Sequence, residues 1–202
     1  MYRPARRLAQ LYAGLVLYGA SMALQIRAGL GLDPWDVLHQ GLADRTGLSF
    51  GTVVIVVGAL VLLAWIPLRQ WPGFGTVSNV IVIGLAVDAA LARLPDAGSL
   101  PVACAMLIAG VGLNGVAGAV YIGAGLGPGP RDGLMTGLVR RTGRSVRLVR
   151  TTIEVTVLVA GAVLGGTVGV GTVVYALSIG PIVHAVLPRL TVPLPATAQT
   201  VS

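Results

Sequence analysis

The chain contains an ungapped internal repeat in which residue n of the first half corresponds to residue n+96 of the second. Over Ala13–Leu94 against Ala109–Leu190, 35 of 82 paired positions are identical. The segment Gly29–Asp36 returns as Gly125–Asp132 with both glycines, the proline and the last aspartate in place. Hydrophobic composition alone would not keep such residues in register over this distance. A long unit that occurs twice indicates a duplicated half-domain, whereas solenoids need three or more short repeats.

Composition places this duplicated chain in a membrane. Hydrophobic residues make up 55% of it and charged residues 10%, where a soluble domain carries about 25% charge. The net charge of +7 comes from arginine, and it is better explained by membrane orientation than by nucleic-acid binding. Cys104 is the single cysteine, so an internal disulfide is excluded. No zinc-site spacing of Cys and His is present, and we expect neither a metal nor a cofactor.

Six apolar segments approach the length of about 20 residues that a membrane-spanning helix needs. The predicted spans are Leu8–Arg27, Leu48–Pro67, Phe74–Leu94, Leu100–Gly123, Arg147–Gly166 and Val168–Arg189. Residues 8–94 and 104–190 then form two repeats of one integral membrane domain, followed by a loose tail, 191–202. The first span resembles a signal peptide, but its copy lies in mid-chain, so both are interpreted as retained spans.

A shorter element follows the first span of each half, at Asp33–Thr46 and Gly129–Thr142. Asp33 can cap a helix N-terminus and Pro34 suits the first helical position. Gly47 suits the left-handed turn at the C-terminus. A dozen residues of helix reach only about 18 Å, which is too short to span. The sequence therefore predicts an all-α membrane protein with six spans in two repeats, each with a half-length helix after its first span.

The distribution of arginine predicts the topology. With three spans per half, eleven arginines fall on one side of the membrane and three on the other. The positive-inside rule then places both termini in the cytoplasm and threads the halves in opposite directions. Trp65 and Trp71 are interpreted as an interfacial aromatic belt. An arginine-rich segment is expected to set topology and contact anionic lipid headgroups; its members are Arg140, Arg141, Arg144, Arg147 and Arg150.

The stretch Gly29–Leu42, which contains the sequence Pro-Trp-Asp, together with Thr46-Gly47 and Gly51-Thr52, resembles the YczE/YyaS/YitT-type bacterial integral membrane proteins. The resemblance covers roughly Leu8 to Leu190. The second half departs from it by carrying Arg131 where the first has Trp35. The resemblance implies a bacterial inner-membrane location and, for some relatives, export of small molecules. It carries no functional residues over to this chain.

The segments Gly29–Asp36 and Gly125–Asp132 are predicted to break the helices, one in each half. These paired helix breaks are the predicted solute or ion site, because broken helices of inverted repeats meet near the membrane midplane. Broken helices also leave backbone amides and carbonyls available to a ligand. Asp36 and Asp132 are equivalent acidic residues, one in each copy, and they suit a cation or a proton. The alternative is that each carboxylate simply caps its short helix. The candidate binding residues are Gly31, Pro34, Asp36, Gly127, Pro130 and Asp132.

Asp88, Glu154 and His184 are ionisable residues inside predicted spans, where charge is costly and usually faces protein or water. Glu154 and His184 are proposed as a proton-coupling pair, since histidine titrates near physiological pH. The alternative for Glu154 is an ion pair with Arg150, four residues earlier. For Asp88 and His184 the alternative is a shallow position within reach of the interface.

These features favour a secondary transporter or exporter of a small organic molecule. A membrane scaffold or assembly factor is the alternative, and a homodimer stays open. An intramembrane enzyme is not expected, because no HExxH or GxSxG motif is present. The expected partners are the lipid bilayer and a small-molecule or ion substrate, with no nucleic acid.

Overall fold

The computed structural model describes residues 4–192, and the helices in this range are joined by short connections. The predicted all-α class is confirmed, since no strand occurs within that range. The predicted tail lies outside the described residues from position 193 onward. The helices are α1 (Pro4–Ala28), α2 (Pro34–Thr46), α3 (Phe50–Trp65), α4 (Phe74–Leu91), α5 (Leu100–Gly123), α6 (Pro130–Thr142), α7 (Val146–Leu164) and α8 (Val170–Leu190).

Helix boundaries recur with the 96-residue period. Helices α2, α3 and α4 begin at Pro34, Phe50 and Phe74, and α6, α7 and α8 each begin 96 residues after their counterparts. The turn before each short helix recurs too, because Gly29 and Gly125 have φ angles of 66° and 63°. The sequence repeat is therefore also a repeat of local structure.

Four helices, α1, α4, α5 and α8, are long and apolar enough to span a membrane. A fifth span results if α2 and α3, which are bent by 115°, count as one. The second predicted span is shorter than expected, because α3 ends at Trp65 and a turn follows. The fifth predicted span, Arg147–Gly166, corresponds to α7, which carries three charged residues, Arg147, Arg150 and Glu154. Length and composition thus support a multi-pass protein with four to five spans.

Both short helices form where the sequence predicts them. Asp33 is the N-cap of α2 and Pro34 its first residue. At their C-termini, Gly47 and Gly143 adopt left-handed φ angles of 71° and 65°. Local capping chemistry therefore determines where these two helices begin and end.

Helices α1 and α5 pack against each other at the centre, with α4 on α1 and α8 on α5. Small residues bring α1 and α5 together, since a Cβ at Gly14 would lie 2.6 Å from the backbone nitrogen of Tyr121. The surrounding core is apolar and includes Leu11, Leu15, Met22, Ile83 and Val87.

The last helix of each half holds the helix break of the other half. The Gly75 N–H of α4 donates to the Leu126 carbonyl at 2.8 Å, and the Gly171 N–H of α8 donates to the Leu30 carbonyl at 2.7 Å. At Gly31, φ is 113° and a Cβ would lie 2.6 Å from the backbone at the start of α8. Both the conformation and the lack of space require glycine there. These contacts fix both breaks in the interior.

Candidate functional site

The two helix breaks meet at a cavity of about 190 Å³. All eight helices of the described range contribute to its wall, and α3 supplies apolar residues such as Val57 and Val61. The polar and aromatic residues that line it are Tyr18, Asp33, Trp35, His39, Asn79, Tyr121, Arg131, Asp132, Arg150, Glu154 and Tyr175.

Asp33 is the buried acid of the first break. Its Oδ1 accepts hydrogen bonds from the backbone N–H groups of Trp35, at 2.9 Å, and Asp36, at 3.2 Å. This capping fixes the carboxylate beside the cavity, where Asp33 is 1% exposed. Its Oδ2 has no hydrogen-bond partner among the described residues. A buried carboxylate oxygen without a partner is costly and is a common feature of ligand sites.

Arg131 extends from the second break toward the first. Its Nη1 lies 3.4 Å from Asp33 Oδ1 and its Nη2 lies 3.6 Å from Asp36 Oδ1. The guanidinium also covers the Trp35 ring, 5.1 Å from the ring centroid. Trp35 and Arg131 occupy equivalent positions of the repeat. The residue that replaced the aromatic ring in the second half therefore makes a cation–π contact with the ring that the first half kept.

Asp36 and His39 form a second polar layer behind Asp33. His39 Nδ1 lies 3.1 Å from Asp36 Oδ1, and both side chains are buried. His39 also meets the Phe50 ring edge to face, with the ring centroids 5.9 Å apart. The sequence predicts Asp33 as the N-cap of α2 and Asp36 as a further cap within its first turn. Asp33 does cap the helix, whereas Asp36 Oδ1 lies beside His39 and Arg131.

Three tyrosines from different helices form an aromatic wall. The rings of Tyr18 and Tyr121 meet edge to face, with centroids 5.9 Å apart. The Tyr175 hydroxyl donates to Asn114 Oδ1 at 3.1 Å. Together with Trp35 these rings give the cavity an aromatic surface that would suit a small ring or a cation.

Asp132, Arg150 and Glu154 lie on the more exposed side of the cavity. Arg150 Nε donates to Glu154 Oε1 at 2.9 Å across one turn of α7. This is the ion pair named above as the alternative for Glu154. No hydrogen bond joins Glu154 to His184 within residues 4–192, and a proton-coupling role for the two stays a prediction.

The cavity brings together some of the predicted binding residues and leaves others at its edge. Pro34, Pro130 and Asp132 line it, and Asp36 lies one layer behind. Gly31 and Gly127 pack against the starts of α8 and α4, so they position the breaks.

Asp88 and His184 do not line the cavity. The Asp88 carboxylate instead accepts from the Ser49 hydroxyl at 2.6 Å and from the Gly51 N–H at 2.7 Å, which joins α4 to the start of α3. Four residues of the arginine-rich segment, Arg140, Arg141, Arg144 and Arg147, are exposed away from the cavity, and Arg150 lines it.

Sequence reasoning missed Asp33 as a site residue and missed the three tyrosines. The replacement of Trp35 by Arg131 between the halves was a usable signal, because the structure brings these two residues together. No group of three or more His, Cys, Asp or Glu side chains that could hold a metal ion occurs among residues 4–192.

The helices and the cavity define a multi-pass membrane protein with an internal polar cavity. Comparison with family models then shows that the chain belongs to DUF6198, a family of unknown function whose model matches residues 5–188.

Three relatives are similar over most of their length. An uncharacterized protein of Haemophilus influenzae is 38% identical over 174 residues, which cover 86% of this chain and 80% of the relative. The uncharacterized membrane protein YczE of Bacillus subtilis is 36% identical, with 88% and 84% covered. The uncharacterized protein YyaS of the same organism is 25% identical, with 87% and 89% covered. The resemblance to YczE and YyaS is thus confirmed. No solved structure matches the chain.

Proposed function

We propose that this protein is a small secondary transporter of the bacterial inner membrane, an exporter of a small organic solute that binds in the cavity between its two halves. The observation that carries the proposal is the convergence of two equivalent helix breaks on one polar cavity. Interrupted helices that meet between repeats are typical of solute sites in secondary transporters. We propose binding and translocation and no catalysis, because the described lining contains no Ser, Thr or Cys nucleophile.

The proposed arrangement is six spans in two inverted repeats, with both termini in the cytoplasm. The reciprocal contacts of Gly75 with Leu126 and of Gly171 with Leu30 support a pseudo-twofold relation between the halves. The excess of arginine on one side supports opposite threading. In this arrangement α3 and α7 are the second spans of the two halves, although α3 is short and α7 is charged.

The cavity has two flanks, the helix pair α3–α4 and the equivalent pair α7–α8. These flanks are packed unequally, and this difference supports alternating access. Helix α3 packs along α4, where a Cβ at Gly84 would lie 2.5 Å from the Gly51 carbonyl. The equivalent helices α7 and α8 hardly touch, and a Cβ at Gly180 would meet nothing within 4 Å. Exchange of a closed and an open flank between the halves would present the cavity first to one side and then to the other.

Flux through proteoliposomes with a reversible lock on the closed flank tests the proposal. Ser49→Cys and Asp88→Cys, in a Cys104→Ser background, place two thiols where the wild-type side chains are 2.6 Å apart. We expect uptake of one or more labelled solutes by the reduced protein, loss of uptake on oxidation and recovery with reductant. The matched control is each single cysteine variant under the same oxidant.

Flux that continues at the full rate after cross-linking would contradict alternating access at this flank. The absence of flux for any small cation, anion or neutral solute would favour the alternative, a non-transporting membrane scaffold or assembly factor.

A further inference from the structure

We propose that the cavity takes a small organic ammonium ion, with the Asp33 carboxylate as its counter-charge and the Arg131 guanidinium as a built-in competitor for the same place. This inference rests on the proposed function, in that it names the class of solute for the cavity assigned there.

The first support is the unmatched charge around Asp33. Asp33 and Asp36 are each 1% exposed, and both have Arg131 as their guanidinium partner. Two carboxyl groups therefore face one guanidinium in this buried group. The Arg150 guanidinium is already bonded to Glu154 at 2.9 Å. A cation that enters the cavity is therefore attracted, whereas an anion would meet the unpaired Oδ2 of Asp33.

The second support is the loose hold on Arg131. Its distances of 3.4 Å and 3.6 Å to the two carboxylates exceed the usual 2.7–2.9 Å, roughly, of a charge-assisted hydrogen bond. The Arg131 side chain is 31% exposed, so it has room to move away. A solute ammonium could then take over both of its contacts, the Asp33 carboxylate and the face of Trp35. Arg131 acts as a tethered cation that occupies the site when it is empty of solute.

The third support is the size and lining of the cavity. Its volume is about 190 Å³, and a protein cavity of about 150 Å³ is known to hold benzene. The rings of Tyr18, Tyr121 and Tyr175 surround this space. The dimensions fit a monoammonium with one ring.

Three ligands of matched size and different charge test the solute class. We would measure binding of radiolabelled benzylamine to the purified full chain, with unlabelled benzylamine, benzyl alcohol and benzoate as competitors. Benzylamine is a cation at neutral pH, benzyl alcohol is neutral and benzoate is an anion. We expect only unlabelled benzylamine to displace the label.

Two substitutions with opposite expected effects test the residues. Asp33→Asn keeps the helix cap, because Asn caps as well as Asp, but it removes the charge. It should weaken benzylamine binding about tenfold or more, as expected for loss of a buried charge partner. Arg131→Gln removes the competitor and should strengthen binding by about tenfold, which corresponds to about 1.4 kcal/mol. Asp44→Asn, at an exposed acid on the same helix α2, is the matched control and should leave affinity unchanged.

Competition by benzoate or benzyl alcohol equal to that of benzylamine would overturn the ammonium proposal, as would full affinity in Asp33→Asn. If Asp33→Asn fails to fold, Arg131→Gln still decides, since misfolding does not raise affinity; unchanged or weaker binding there would also overturn it. Proteoliposome uptake of benzoate or benzyl alcohol, without benzylamine binding, would refute the solute class and leave the transporter standing. No binding and no flux of any of the three would refute the solute class, and the transporter proposal would fall with it only if no other small cation, anion or neutral solute moved either.

Discussion

The two contacts between a short helix and the opposite half, α2–α7 and α3–α6, occupy equivalent positions of the repeat but are built differently. At α2–α7, a Cβ on Gly161 would lie 2.4 Å from the Leu38 backbone nitrogen, so the two helices touch backbone to backbone. At α3–α6, the counterpart of Gly161 is Trp65, whose ring packs against Gly133. At α2–α7 the closely packed glycine, Gly161, lies in the longer helix α7. At α3–α6 it is Gly133, which lies in the short helix α6.

This difference teaches how a duplicated frame acquires one asymmetric site. Both contacts contain glycine, but the indole of Trp65 stands between α3 and α6, whereas α2 and α7 touch backbone to backbone. The Trp65 N–H donates to the Pro130 carbonyl at 3.1 Å, which fixes the start of α6 and therefore the position of Arg131. Duplication supplies two helix starts, and divergence gives the second start Gly129 and Arg131 where the first has Asp33 and Trp35.

Of the substitutions that test this comparison, removal of the Trp65 indole should change the free energy of unfolding most. Trp65→Ala leaves a cavity at a residue that is 1% exposed and removes the hydrogen bond to the Pro130 carbonyl. We expect a loss of about 3–5 kcal/mol in the free energy of unfolding, measured by denaturant titration in mixed micelles. Trp71→Ala, at a side chain that is 90% exposed, is the control and should change stability little. Equal effects of the two substitutions would show that Trp65 does not set the α3–α6 spacing.

Adding one methyl group at the tight contact should have the next largest effect. Gly161→Ala forces α7 away from the α2 backbone and should destabilise the protein by about 1–3 kcal/mol, the usual cost of overpacking. Gly180→Ala adds the same group in open space and serves as the control. The two unfolding titrations should differ clearly; a Gly161 variant as stable as the Gly180 variant would argue against backbone contact between α2 and α7.

The smallest effect is expected at the closed flank between α3 and α4. Asp88→Ala removes the acceptor for Ser49 and Gly51 and should cost about 1–2 kcal/mol, as for hydrogen bonds to a charged group. His184→Ala, at the equivalent position of the open flank, should change stability by less than about 0.5 kcal/mol. Similar losses from both variants would contradict the inequality of the two flanks.

Features set by neighbouring residues were predictable from the sequence. The short helices begin after Asp33 and Gly129 and end at Gly47 and Gly143, because caps and prolines act locally. The repeat also identified the pair of helix breaks. Span boundaries were less predictable, since Trp65, interpreted as an interfacial residue, is buried against Gly133 and ends α3 early.

The composition of the cavity was beyond local reasoning. The contact of Arg131 with Asp33 joins residues 98 positions apart, and the tyrosines come from three different helices. Hydrophobic periodicity and capping signals carry no information on which distant side chains meet. The exception is a charged residue that replaces an aromatic one within an otherwise similar repeat, as Arg131 does, because the structure brings these two equivalent positions together.

Opposite threading of the two halves is the claim on which the proposed transport cycle depends, and labelling of equivalent positions tests it most directly. Arg45 and Arg141 are exposed counterparts in the last turns of the two short helices, α2 and α6. Each would be replaced by cysteine in a Cys104→Ser background and treated with a membrane-impermeant maleimide in intact cells and in permeabilised cells. The account predicts that the Arg45→Cys protein reacts in intact cells, whereas the Arg141→Cys protein reacts only after permeabilisation. Reaction of both from the same side would contradict it.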